Sequence, residues 1–171
     1  PELEKTKKEL DLLERLYALY INVNTFVNDA HEMPWTEVPT NLPMMIQRVT
    51  EFQTACAKMP KDLRQWDAYT ELKATIDEFF MSMPLVQSLS HPCMRMRHWT
   101  QLMTVTGQQL AIGSERFKLN DVLQAGLLEY KEDVEDICNS ALKELQIDEK
   151  LTAISDDWSD EQLTFANFKN R

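Results

Sequence analysis

Apolar residues recur at steps of three and four along nearly the whole chain, and only three glycines, Gly107, Gly113 and Gly126, interrupt it. That combination constrains the fold most. Spacing of this kind places apolar side chains on one face of an α-helix, and few glycines leave little room for tight hairpins or phosphate-cradling loops. Leu12, Leu16, Leu19, Val23 and Phe26, widened by Leu13, Tyr17 and Tyr20, predict one long helix over residues 3 to 29. Pro34 and Pro39, around Trp35, open a loop. Asn41 is the expected cap of a second helix, with Pro43 in its first turn, Met45, Val49, Phe52, Cys56 and Met59 on its buried face, and an end before Pro60. Leu63, Trp66, Leu72, Ile76, Phe79 and Met83 outline a third. Pro84 is expected to start a shorter segment to Leu89, and Pro92 to start the helix that carries Trp99.

Residues 107 to 120 lack this regularity and contain two of the three glycines, so they divide the chain into an N-terminal helical subdomain (1–106), an irregular joint (107–120) and a C-terminal part (121–171). Asn120 is the expected cap of a short helical turn before Gly126. Beyond it, Leu127, Tyr130, Val134, Ile137, Ala141 and Leu145 alternate by threes and fours as the seam of a helix packed along another, with Leu151, Ile154 and Trp158 prolonging it. Leu163 to Phe168 alternates with a period of two, the pattern of a strand. The expected fold is all-α, an elongated bundle of long amphipathic helices with a short β segment beginning at the C-terminal end. Pro1 is not a start methionine and Phe168-Lys-Asn-Arg171 stops without a helix-ending signal, which reads as a piece of a longer polypeptide.

Composition narrows the function. The 171 residues, 43% of them hydrophobic, suffice for a real core. A formal net charge of −10 disfavours nucleic acid and anionic lipid and favours a partner with a basic face. Cys56, Cys93 and Cys138 are odd in number and form no CxxC pair, which fits a reducing, intracellular setting better than a disulfide framework. No apolar run approaches the roughly 20 residues of a membrane span, and the first residues, Pro1-Glu-Leu-Glu-Lys5, have no signal core.

Catalytic chemistry finds little purchase. No Gly-Lys pair occurs, so the nucleotide-cradling loop ending in Gly-Lys-Ser or Gly-Lys-Thr is absent from this sequence. His91 and Cys93 lack a third ligand at metal-binding spacing. Glu129, Glu132, Asp133, Glu135 and Asp136 fall between the seam positions of the long helix and are expected to face water rather than form an acid–base pair, with Lys131 and Glu135 spaced to pair weakly. Cys56 and Cys138 lie on apolar stripes, where a thiol behaves as a small hydrophobe. The sequence predicts no catalytic, cofactor-binding or metal-binding residue.

One cluster stands out, Met94-Arg-Met-Arg-His-Trp99, followed by Thr106-Gly107. Met96, Trp99, Leu102, Met103 and Thr106 are expected to share a face, with Arg95, His98 and Gln101 to one side. Two readings compete for Arg95, Arg97, His98 and Trp99. Either the tryptophan is core and the arginines bind acidic residues or helix-end carbonyls of neighbouring helices, or the group docks a partner.

Arg97-His-Trp99, then Leu102-Met103 and Thr106-Gly107, resembles the Arg-His-Trp signature in the linker region of dynein heavy chains. Leu10-Asp-Leu-Leu-Glu-Arg-Leu-Tyr-Ala-Leu-Tyr20 is similar to the helix that opens this region, and Pro34-Trp35 to the loop after it. Ala125 to Cys138 and Ala141 to Leu151 resemble its long helix, and Phe165 to Arg171 the segment leading onward. The Thr-Gly pair and Tyr130-Lys-Glu-Asp-Val-Glu-Asp-Ile-Cys138 resemble axonemal, outer-arm chains most. The resemblance implies the N-terminal part of a linker, a non-catalytic lever that bends over a ring of AAA+ modules as ATP is hydrolysed and so moves the tail relative to the microtubule. It implies ATP and Mg for the parent chain but no cofactor in this segment. The ring of the same chain would be its partner, the tail and other dynein subunits indirect ones, and the axoneme of a cilium or flagellum its location. An acidic helical adaptor for a basic protein is the alternative, and a small enzyme with an unrecognised site a further one.

Overall fold

A computed structural model describes residues 2–161, and these form a helical bundle. Its elements are α1 (Glu2–His31), a 3-10 turn (Trp35–Glu37), α2 (Val38–Ala57), a second 3-10 turn (Lys61–Gln65), α3 (Asp67–Leu89), α4 (Met96–Thr106), α5 (Leu119–Leu123) and α6 (Lys131–Asp160). No strand occurs among the described residues, only one isolated bridge between Pro34 and Lys118. The strand expected at Leu163 to Phe168 lies outside them.

The centre of the fold is the pair α2 and α3. They run antiparallel: Tyr69 near the start of α3 donates its hydroxyl to the Cys56 carbonyl at the end of α2 (3.1 Å), while Gln53 donates to Asp77 further along (3.0 Å). Leu42, Met45, Val49 and Phe52 from α2 meet Leu72, Ile76, Phe79 and Met83 from α3, all buried. α1 joins this core through the partly buried Leu12 and then the buried Leu16, Leu19, Val23 and Ala30. Phe26 closes it, edge-on to Phe52 (5.5 Å between ring centres) and Phe79 (5.8 Å). Such edge-on aromatic pairs each contribute about 0.5–1.5 kcal/mol beyond their burial.

Several boundaries differ from those the sequence suggested. Proline punctuates less than its chemistry implies: α2 begins at Val38, with Pro39 in its first turn, and Asn41 is inside the helix, donating back to the Glu37 carbonyl (3.0 Å) instead of capping. α3 runs through Pro84 without a break. An interior proline costs roughly 3 kcal/mol, and here Met83, Leu85, Val86 and Leu89 are all buried around it, so tertiary packing offsets the missing bond. Leu63 and Trp66 precede α3, in a 3-10 turn and at its cap. α6 starts at Lys131, after the turn that Gly126 makes at φ 74°, so Leu127 and Tyr130 enter the core from outside the helix.

The segment 107–120 is irregular up to Lys118, its last two residues opening α5, and it is well tied. Trp35 donates its backbone N–H to the Phe117 carbonyl (2.9 Å) and Leu119 donates to that of Met33 (3.0 Å), binding it to the α1–α2 connection. Leu110 and Phe117 are buried. Lys118 reaches the Glu32 carboxylate, which holds that carboxyl below the usual glutamate range. α5 is capped by Asp121, whose carboxylate accepts the Lys118 N–H (2.9 Å), and not by Asn120.

Candidate functional site

Pro92 does not start the helix that bears the Arg-His-Trp run. Residues 91–95 form a turn in which the Cys93 N–H donates to His91 Nδ1 (3.2 Å), and α4 begins only at Met96. Arg95 therefore sits just before the helix in extended backbone (φ −98°, ψ 165°). Its N–H donates to His98 Nδ1 (3.1 Å), so a histidine side chain occupies the place that a capping glutamate would fill. At the other end Gly107 adopts φ 69° and returns its N–H to the Met103 carbonyl (2.9 Å), a left-handed cap that suits glycine. Met96, expected beside Trp99, is exposed instead, because as the first residue of α4 it lies past the edge of the core.

Two sets of contacts leave this short helix in different directions. Toward α6 go the cations. His98 is only 1% exposed, and its Nε2 lies 3.0 Å from Glu144 Oε2. Because Nδ1 accepts from the backbone, the ring proton is on Nε2, which donates to the carboxylate. Arg97 reaches the same Glu144 oxygen, and Arg95 pairs with Asp148, one turn further along α6. The three side chains thus converge on two carboxylates of one helix face. The arginine pairs are half exposed, which limits each to about 0–1 kcal/mol. The buried imidazole is different, since an unmet donor there would cost about 1–3 kcal/mol.

Toward the other side goes Trp99, 5% exposed. It stands edge-on to Trp35 (5.5 Å, 86°) and to Phe117 (5.9 Å, 88°), while Trp35 and Phe117 touch each other at 5.5 Å. Leu102, 0% exposed, extends the same face. This aromatic triad joins three regions far apart in sequence: the loop after α1, α4, and the 107–120 segment.

The other sequence candidates disperse. Glu129, Glu132, Asp133, Glu135 and Asp136 are all exposed on or beside α6, with Lys131 3.8 Å from Glu135. His91 and Cys93 share a crevice of about 280 Å³ with Cys138, Asn139 and Leu142. Burial pushes all three thiols up, Cys138 to about 11, which keeps them protonated and poor as nucleophiles or ligands. Among the described residues no three His, Cys, Asp or Glu side chains gather as a metal site would require. No described helix is long and apolar enough to cross a membrane.

The family described as "Dynein heavy chain, N-terminal region 2" matches residues 3–171. The chain belongs to this dynein heavy chain family. It is 41% identical over all 171 residues to "Dynein axonemal heavy chain 5" of Rattus norvegicus, covering 5% of that protein. It is 41% identical over its full length to "Dynein gamma chain, flagellar outer arm" of Chlamydomonas reinhardtii, covering 4% of it. "Dynein axonemal heavy chain 8" of Homo sapiens is 39% identical over 169 residues, again 4% of its length. The chain therefore spans about one-twentieth of these relatives. Sequence spacing alone did not single out Glu144 and Asp148, which lie some fifty residues from the arginines they bind. The one available signal was that two carboxylates four apart match two arginines two apart.

Proposed function

We propose that the chain is the N-terminal part of the linker of an axonemal dynein heavy chain, a mechanical lever with no catalytic role of its own. The family match over residues 3–171 supports the placement in a heavy chain. The observation that carries the lever reading is α6: 30 residues in one unbroken helix, about 45 Å long at 1.5 Å per residue. Its first half packs through Val134, Ile137, Cys138 and Ala141, and the α4 clasp then grips it at Glu144 and Asp148. A rigid body fixed to a long helix at several points transmits displacement rather than absorbing it.

In this reading ATP and Mg act elsewhere in the parent, in its AAA+ ring, which is the partner against which the lever moves. The sequence has no Gly-Lys-Ser or Gly-Lys-Thr loop of its own. Tail and associated subunits are indirect partners, microtubules are reached only through distant parts of the parent, and the location is the axoneme of a cilium or flagellum. Deleting these residues from the parent is expected to abolish microtubule gliding while ATP hydrolysis persists. Normal gliding after the deletion would sink the proposal.

A further inference from the structure

A pocket of about 360 Å³ opens where the α1–α2 connection meets the 113–117 turn. Pro34, Trp35 and Phe117 give it apolar walls, while Glu37 from the connection and Glu115 from the turn add a carboxylate on each side. Backbone hydrogen bonds hold the walls in place. Trp35 donates its N–H to the Phe117 carbonyl (2.9 Å), Phe117 donates to that of Ser114 (3.0 Å), and Glu37 to that of Pro34 (3.0 Å). The Trp35 and Phe117 rings lie 5.5 Å apart, and Trp99 braces Trp35 edge-on. A cleft tied in this way need not be ordered when a ligand arrives, which spares that cost on binding. Both carboxylates are exposed, and neither forms an ion pair among the described residues. Of the cations nearby in sequence, Lys118 is taken by Glu32, and Arg116 is exposed and does not line the pocket.

We propose that this pocket binds one arginine side chain from a basic segment of a separate polypeptide. Apolar walls with carboxylates beside them match a ligand that is apolar along its stem and cationic at its tip, which among side chains means lysine or arginine. The aromatic walls select arginine of the two. A planar guanidinium stacks on indole and phenyl rings and donates in a fork to carboxylates, whereas an ammonium is a compact, strongly hydrated point charge. The same two carboxylates repel a nucleic acid or an acidic peptide, and a purely apolar side chain leaves them unused. The volume is at the low end for a ligand site, which suits one long side chain and not a whole helix face. A second copy of this chain is a poor source, because two chains of net charge −10 repel. Trp35 belongs to both the pocket and the aromatic triad, so a docked segment sits one ring away from Trp99 and α4.

The test uses the intact heavy chain, purified free of other subunits, and short glycine peptides that carry a photoactivatable diazirine and one central arginine, citrulline or lysine. Citrulline keeps the shape of arginine and lacks its charge. After illumination, labelled positions are mapped by mass spectrometry. The arginine peptide is expected to label residues 34–37 and 113–117 roughly tenfold more than the citrulline peptide and roughly threefold more than the lysine peptide. Glu37→Gln combined with Glu115→Gln should bring arginine labelling down to about the citrulline level. Both positions are exposed, so hydrogen exchange over residues 96–106 should stay as it is and show that the fold is intact. Equal labelling by the arginine and citrulline peptides, or arginine labelling that survives the double substitution, would overturn the proposal. So would an unlabelled pocket in the heavy chain alone, which is the result if a segment of the same polypeptide fills it, and equal labelling by lysine would overturn the choice of arginine. None of these readouts involves movement, so the proposal stands or falls apart from the lever.

Discussion

The two halves of α6 have the same local conformation and opposite surroundings. Residues 131–145 carry Val134, Ile137, Cys138 and Ala141 against the bundle and end in the clasp to α4, whereas every described side chain from Ile147 to Ser159 is exposed or, at Asp148, half-buried. Helical periodicity alone does not separate them, since both contain apolar residues at three-four spacing. What separates them is phase. The first seam faces helices that are present, and the second faces a different direction. A helix thus conveys the position of one body to another only if its two halves are held by different partners, which is the arrangement expected of a lever.

The largest expected effect lies at the aromatic triad behind the clasp. Trp99→Ala should cost about 3–5 kcal/mol in chemical denaturation, because Trp99 is buried against Trp35 and Phe117. A loss below about 1 kcal/mol would mean that the triad does not fix α4. At the clasp itself, Glu144→Ala strands the buried His98 N–H and should cost about 1–3 kcal/mol, against about 0–1 for Asp148→Ala, which frees only the exposed Arg95. Equal losses would erase the distinction between the two carboxylates. In the second half of α6, Trp158→Ala should change stability of the 171-residue chain by less than about 0.5 kcal/mol. A larger loss would show that this half is already packed.

Two smaller effects follow from burial. Native Cys56, Cys93 and Cys138 should alkylate slowly at pH 8 and rapidly in denaturant, read by intact mass, because their thiols are pushed up. Desolvation also lowers the pKa of His31 below its ordinary 6.5, with Glu32 partly opposing. The folded chain then resists the proton that the unfolded chain accepts, so stability falls as pH drops below 6.5 toward the lower folded value. His31→Gln should flatten that slope. An unchanged slope would assign it to other groups.

Much of this was legible in the sequence. The central stripe of α1, the core faces of α2 and α3, and the burial of Trp99 follow from spacing, but Leu13 and Tyr17, expected to widen the α1 stripe, are exposed because they lie past the edge of the face that meets the core. Proline misled at Pro43 and Pro84, where buried neighbours outweighed a sound local rule, and at Pro39, which opens the first turn of α2, where proline is well tolerated, instead of a loop. The clasp was half legible: Arg95 and Arg97 were visible as cations seeking carboxylates, while their partners lay too far along the chain for any spacing rule to reach. His98 was expected at the edge and is buried, because its ring closes the start of α4 and meets Glu144. The phase change in α6 was available in the residues, since Asp148, Thr152, Ser155 and Ser159 continue the first seam as a polar row.

The central claim is that α6 transmits movement. Its most direct test inserts a flexible glycine-serine run between Asp148 and Glu149 of the parent heavy chain, leaving the clasp intact. The account predicts that microtubule gliding slows by more than half while ATP hydrolysis per molecule is retained. Unchanged gliding speed with the helix broken would contradict it.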